Sequence, residues 1–251
     1  MLRFAAPVLL LMACAASPAA AQDVPLPEPR PAHAAVPPAE ATPAAEEPVQ
    51  LAAAPSIVRP SGEGTPLNQI DSTQQAALER VNTYFNSIQS LSGKFVQVGP
   101  DGRRAEGQLF LKKPGKLRFE FAPPSKLQII ADGKSVAVRD RSLNTQDIYP
   151  LSQTPLRYLL QENINLLRDT KVTAVYIEPE MISIAIEESS KVAGTSRLML
   201  VFAGNNYELK QWTVTDAQGL DTTVSVYDLE ASVPEDRIFA IDYTIDPAAR
   251  P

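Results

Sequence analysis

The chain has 251 residues but only one histidine and one cysteine, His33 and Cys14, and both fall ahead of the stretch that can fold. Ser-His and Cys-His nucleophilic catalysis, zinc sites built on imidazole or thiolate, and thiol-disulfide exchange are therefore excluded from the folded part. It also contains no disulfide. There is no calcium-loop spacing and no phosphate-cradling glycine loop. After the first 21 residues no apolar run reaches the length of about 18 that would hold the chain in a bilayer. Positive charge is scarce too: the net charge is -6, which argues against a nucleic-acid partner. What survives of catalysis is carboxylate chemistry, with Asp132, Asp140 and Asp147 near expected strand ends. Their other reading is turn formation and solvation. No metal or other cofactor is expected, and the chain reads as non-enzymatic.

The N-terminus is patterned for export. Residues 1–21 carry one cation, Arg3, an apolar stretch from Phe4 to Ala13, and Ala19-Ala20-Ala21 before Gln22, which reads as a secretory signal cut after Ala21. Leu11-Met12-Ala13-Cys14 resembles a lipobox, so an anchor on an acylated Cys14 is the alternative. Residues 22–68 are dominated by proline and alanine and cannot bury enough apolar surface to offset ordering, so they read as a disordered spacer or tether. That stretch holds Asp23, Glu28, Glu40, Glu46, Glu47 and Glu63 against Arg30 and Arg59, more than half of the net charge. One folded domain is expected over residues 69–246, with a tail over 247–251.

Ser72 and Gln75 stand at capping-box spacing, and Leu78, Val81, Tyr84, Phe85, Ile88 and Leu91 follow at helical intervals, which predicts an amphipathic helix over 73–91. After Gly93 the period falls to two. Strands are expected over 94–98, 105–112, 115–121, 127–131, 134–139, 145–149, 171–178, 181–187, 196–203, 206–215, 220–229 and 238–244. Turn signals such as Pro114-Gly115 and Asp132-Gly133 separate them, and connections this short require antiparallel neighbours. The meander has one interruption, 152–168, where Thr154 can cap and Leu156, Leu159, Leu160, Ile164 and Leu167 form an apolar stripe. A twisted sheet of this size tends to curl, and a helix pair on its open side would cover the apolar face.

Alternation places Leu117, Phe119 and Phe121 on one strand face, and Leu127 and Ile129 continue an apolar row on the next. Two readings stay open: a plain core sealed by the first helix, or the wall of a cavity. Phe119→Asp separates them, since a charge unfolds a close-packed core but in a wettable cavity spoils binding alone. The cluster Arg103, Arg104, Lys112, Lys116 and Arg118 is likewise either a solvated face or a docking patch for an acidic partner.

Several of these features stand in one order: Phe95-Val96-Gln97, Glu106-Gly107 before Leu109-Phe110-Leu111, the basic run Lys112-Lys113-Pro114-Gly115-Lys116-Leu117-Arg118-Phe119-Glu120-Phe121, Pro124, Ala131-Asp132-Gly133, and Tyr149-Pro150-Leu151 before Thr154-Pro155-Leu156. In this series the chain resembles the periplasmic outer-membrane lipoprotein carriers of the LolA family, in their alphaproteobacterial form. The resemblance implies a mainly β fold, a half-closed antiparallel β-barrel with an N-terminal amphipathic helix and a helical lid inserted mid-meander. It implies a periplasmic monomer whose cavity holds the acyl chains of lipoproteins. Cargo would come from an inner-membrane lipoprotein-releasing ABC transporter and pass to an outer-membrane receptor or acceptor. On that reading Phe95, Leu109, Leu111, Leu117, Phe119, Phe121, Leu127, Ile129, Leu156, Leu159 and Leu160 line the lipid site, and Arg103, Arg104, Lys112, Lys116 and Arg118 dock partners. The family usually carries arginine before the proline of the basic run, where it governs lid opening. Lys113 holds that place here and keeps the charge without the planar fork. The alternatives are a membrane-anchored lipoprotein receptor, if Cys14 is lipidated, and a lipid- or protein-sensing half-barrel module.

Overall fold

The computed structural model describes residues 56–62, 64–66, 69–190 and 194–245. The expected signal segment, Cys14, His33, the spacer as far as residue 55 and the C-terminal tail lie outside the described residues.

The strands are β1 (Thr65–Pro66), β2 (Ser90–Val98), β3 (Arg104–Lys112), β4 (Lys116–Phe121), β5 (Leu127–Asp132), β6 (Ser135–Asp140), β7 (Thr145–Pro150), β8 (Lys171–Ile177), β9 (Met181–Ser190), β10 (Gly194–Ala203), β11 (Leu209–Thr215) and β12 (Asp221–Ala231). They form one twelve-stranded sheet in the order β1-β8-β9-β10-β11-β12-β2-β3-β4-β5-β6-β7. Neighbours are antiparallel throughout, including β12 with β2, where the two meanders join. The order is linear, so β1 and β7 are free edges and the barrel is half closed. The chain leaves β7 at one edge and re-enters near the other at β8, so the segment between them must cross the open side.

That segment is a chain of short turns: a 3-10 turn at Leu151–Gln153, α2 (Leu156–Leu160) and α3 (Leu166–Asp169). Pro155, not Thr154, holds the cap position of α2, and the Thr154 hydroxyl instead donates to the Leu151 carbonyl at 2.9 Å. The long helix α1 spans Ser72–Ser87. Its cap is Asp71, one residue before the serine expected from spacing. The Asp71 carboxylate accepts from the Gln74 amide at 2.8 Å while the Gln74 side chain accepts from the Asp71 amide at 3.0 Å. An ionised carboxylate at a helix N-terminus also meets the positive end of the macrodipole, an advantage serine lacks.

Alternation sorts the side chains of the sheet. Leu91 and Phe95, Leu109 and Leu111, Leu117, Phe119 and Phe121, Ile184 and Ile186, Leu200 and Phe202, Trp212, and Val224 and Val226 share one buried cluster with Ala77, Leu78, Val81 and Phe85 of α1 and Leu156, Leu159 and Leu160 of α2. This is the inner face. Leu91 belongs to β2, so the expected helix over 73–91 stops short of it. The helical spacing runs on only because Leu91 faces the same interior as α1.

Two segments cross the outer face. Residues 238–244, expected as a strand, contain instead the end of a 3-10 turn, Asp236–Phe239, and then irregular chain. From there the chain runs across β3 to β7. Arg118 on β4 donates to the Ile238 carbonyl at 2.9 Å, Ile241 packs on Ile130 of β5 and Ala137 of β6, and Gln146 of β7 donates to the Asp242 carbonyl at 2.7 Å. A segment lying athwart the strands cannot pair with them, and its alternation of Phe239 and Ile241 reflects one side resting on the sheet. The second strap lies within the stretch expected as spacer. The Val58 amide donates to Gln211 at 2.9 Å and Gln211 donates back to the Val58 carbonyl at 2.7 Å. The Ser61 amide donates to Glu178 at 2.8 Å, and Thr65–Pro66 adds to the edge of β8. Three polar groups bond this short segment to distant strands, which composition alone does not foretell.

Candidate functional site

The inner face and its cover form the candidate site. Phe95, Phe119 and Phe121 meet edge to face, with ring centroids 4.8 Å apart for Phe95 and Phe119 and 4.9 Å for Phe95 and Phe121. Trp212 lies 6.1 Å from Phe119. On the other side Phe85 of α1 meets Phe202 of β10 at 5.3 Å. Between these groups remains a cavity of about 30 Å³, lined by Tyr84, Phe85, Ile88, Leu91, Leu109, Leu111, Leu117, Leu159, Leu209, Trp212, Val226 and Leu229. That space is small beside a lipid acyl chain.

The residues expected to line a lipid site thus divide. Leu109, Leu111, Leu117 and Leu159 border the cavity. Phe95, Phe119, Phe121, Ile129, Leu156 and Leu160 are buried in the surrounding cluster, and Leu127 is partly buried against it. Sequence reasoning missed the wall supplied by β11 and β12, namely Leu209, Trp212, Val226 and Leu229. Alternation in 209–214 and 222–226 was the available signal.

The cover is held by a few directional bonds. Lys113 is buried, and its ammonium donates to the Phe85 carbonyl in the last turn of α1, 5.8 Å from the Phe85 ring centroid. A cation there meets the negative end of the α1 dipole. Burial pushes the Lys113 pKa down to about 8. Two residues on, Gly115 turns with φ +77°, and its amide donates to the Leu160 carbonyl at the end of α2 at 2.9 Å. One turn of the basic run therefore grips both helices. α1 and the insert are also bonded to each other, in a way the sequence reading missed. Asn86 donates to the Ile164 carbonyl at 3.1 Å and accepts from its amide at 2.8 Å, and Asn82 accepts from the Leu166 amide at 3.0 Å. Arg157 on α2 lies 4.4 Å over the Tyr158 ring, donates to the Ser152 carbonyl at 2.9 Å and pairs with Glu188 of β9.

The basic cluster splits. Lys112 and Lys116 both pair with Asp236 on the outer strap, at 2.7 and 3.1 Å, and Arg118 pairs with Glu120 besides holding Ile238. Arg103 and Arg104 stand apart at the β2-β3 hairpin, where Arg103 pairs with Asp101 at 3.2 Å. Two of the three candidate carboxylates serve turns, while Asp147 lies within β7. Asp132 accepts from the amides of Lys134 and Ser135, and Asp140 from those of Ser142 and Leu143. Burial alone would raise the Asp132 pKa, but the bonds from Ser135, Tyr243 and Lys134 outweigh it and hold the carboxyl below its ordinary value. Among the described residues no group of His, Cys, Asp or Glu is placed to hold a metal ion, and no helix is long and apolar enough to cross a membrane.

A family model described as "Outer membrane lipoprotein carrier protein LolA" matches residues 86–242. An outer-membrane lipoprotein carrier protein from Methylobacillus flagellatus is 25% identical over 167 residues, covering 63% of this chain and 80% of that protein. One from Pseudomonas aeruginosa PAO1 is 24% identical over 164 residues, covering 62% and 77%. Among solved structures, a LolA superfamily protein from Nitrosomonas europaea aligns at 14% identity with a TM-score of 0.40, covering 68% of this chain and 98% of that one. The half-barrel rests on the pairing of the chain's own strands.

Proposed function

The chain belongs to the LolA family of outer-membrane lipoprotein carriers, and on that premise we propose that it is a non-enzymatic periplasmic carrier whose inner face takes up lipoprotein acyl chains in place of its helical cover. The single observation that carries this reading is the apolar cluster shared by the inner face and a cover held by a few directional bonds. Each methylene kept from water is worth about 0.8 kcal/mol, so a chain of about 15 methylenes gains on the order of 12 kcal/mol from shelter. The cavity of about 30 Å³ cannot take such a chain with the cover in place. Cargo must therefore displace α1 and the insert from part of the sheet, and their lost contacts subtract from its affinity. A carrier gains from this subtraction, because it can then surrender its cargo to a better apolar site.

In this reading the basic turn at Lys113 controls the lid, and the expected lipid-site residues divide into a cavity rim and a supporting floor. Arg103 and Arg104 form the docking surface, with Lys112, Lys116 and Arg118 contributing beside the outer strap. The partners are acylated lipoproteins, an inner-membrane transporter that releases them and an outer-membrane acceptor, and the carrier acts as a monomer after cleavage behind Ala21. Native mass spectrometry of the full chain recovered from the periplasm tests the proposal. A one-to-one complex with an acylated lipoprotein, lost when the same lipoprotein lacks its lipid, is expected. Equal binding of acylated and non-acylated forms would overturn it.

A further inference from the structure

The inner face has one irregular place. Along β12 the residues facing inward are Val224 and Val226, and strict alternation would next turn Asp228 into the apolar interior. The pairing with β2 slips there: Tyr227 stands opposite Lys94, but Glu230 stands opposite Ser92, so Asp228 and Leu229 together face Gly93. This is a β-bulge, with Asp228 at φ 51° in the left-handed region. The extra residue reverses the parity of the strand beyond it. Asp228 turns outward, where it pairs with Lys94 at 3.0 Å, and Leu229 takes the inward place.

Gly93 completes the arrangement. It lies between Leu91 and Phe95 on the inner face of β2, where a side chain would fill the wall. A Cβ at Gly93 would stand 2.6 Å from Leu229 Cδ2 and 3.0 Å from the Tyr227 carbonyl, so Leu229 occupies the space the glycine leaves. Most residues bordering the cavity are buried, but Tyr84, Ile88 and Leu229 are only partly so. Tyr84 is part of α1 and Ile88 its C-cap, whereas Leu229 is the partly exposed member supplied by the sheet.

We propose that Leu229, aimed inward by the bulge at Asp228 and seated in the gap left by Gly93, is the movable stopper of the inner cavity, and that an acyl chain enters by displacing it. A stopper fits the geometry better than a fixed wall. The side chain has solvent on one side to swing into, its seat has no side chain of its own, and the bulge places it there at the cost of a left-handed backbone at a non-glycine residue. The inference rests on the acyl-carrier reading above.

Its test measures binding of a pyrene-labelled hexadecanoic acid by the full-length chain, with melting followed on the same samples. Leu229→Ala removes the stopper and is expected to bind the probe about fivefold more tightly and faster than the wild type. Leu229→Trp overfills the gap and is expected to bind about tenfold more weakly, and Leu229→Met to behave as the wild type. All three should melt within a few degrees of the wild type, because the side chain is partly exposed. Weaker binding by Leu229→Ala would make Leu229 a contact and not a stopper, and affinities within twofold across the set would deny it any role. Wild-type protein that binds neither the probe nor acylated lipoprotein would instead refute the carrier reading itself.

Discussion

The sheet is covered on both faces, and the two covers are built on opposite principles. On the inner face α1 and the insert contribute mainly apolar side chains to one cluster, with a few directional bonds from Lys113, Gly115, Asn82, Asn86 and Arg157. On the outer face two irregular straps lie down largely through backbone carbonyls, amides and ion pairs, with apolar contact from Phe239 and from Ile241 on Ile130 and Ala137. Apolar contact is non-directional and any alkyl chain can replace it. A hydrogen bond to a particular carbonyl has no lipid substitute. On the proposed reading it is therefore the inner cover that cargo replaces, while the outer straps hold the fold.

The contrast breaks most readily at neighbouring residues on β4 that face opposite covers. Phe119 is buried among Phe95, Phe121 and Trp212, so Phe119→Ala should cost about 3–5 kcal/mol. The melting temperature should then fall on the order of 10 °C. Phe119→Asp should fail to fold, since the carboxylate would stand unpaired among the buried rings of Phe95, Phe121 and Trp212. Such a loss of fold would favour the core reading at this residue. A Phe119→Asp protein that melts normally but no longer binds acyl chains would restore the cavity reading. Arg118→Ala, one residue away on the outer face, should melt far closer to the wild type.

How much of this was legible in sequence depends on how local the signal is. The period of two places eleven of the sheet's twelve strands, because side-chain direction along a strand needs no partner. It fails at 238–244, where Phe239 and Ile241 alternate for a different reason: they rest on the sheet from outside. It fails again past Asp228, where a bulge reverses parity and brings Leu229 inward. The lipid-site residues read from 95–129 are all buried or partly buried on the inner face, yet the opposite wall from β11 and β12 went unassigned. The lid bonds of Asn82, Asn86 and Arg157 were illegible because each joins segments distant in sequence, as Asn86 to Ile164 does.

A smaller effect should come from loosening the inner cover without touching its apolar face. Asn86→Ala leaves the Ile164 amide and carbonyl without their side-chain partner, and Lys113→Met frees the Phe85 carbonyl. Either change raises the population with the cover displaced, and probe affinity should rise by the same factor, about tenfold for each 1.4 kcal/mol of lost closure. Titration with a labelled fatty acid reads this directly. Unchanged affinity in both variants would mean that closure does not oppose binding. The matching change on the outer face, Asp236→Ala, releases Lys112 and Lys116 from an exposed pair. It should shift melting by about 2 °C or less and leave probe affinity alone.

The smallest expected effect concerns pH and separates Lys113 from the arginine usual at its place in the family. Burial lowers the Lys113 pKa from 10.5 to about 8, whereas in the unfolded chain or under a displaced cover the ammonium returns to water. Between these two values the closed, folded protein binds fewer protons than the open or unfolded one. By linkage its stability therefore rises with pH from about 8 toward the ordinary lysine value, and closure is favoured in the same direction. Below pH 8 the charge is present in every state and this dependence vanishes. Other groups titrate higher in the same range with the opposite sign, since Tyr84 and Tyr158 are pushed up by burial and lose stability on ionising. The informative quantity is thus the difference between wild type and Lys113→Arg, because arginine stays charged throughout and the tyrosines cancel. The wild type should gain a few degrees of melting temperature on the variant between pH 7.5 and 9.5, with weaker probe binding at the upper end. Parallel pH curves for the two proteins would show that Lys113 is already solvated in the closed state, and would remove it from control of the lid.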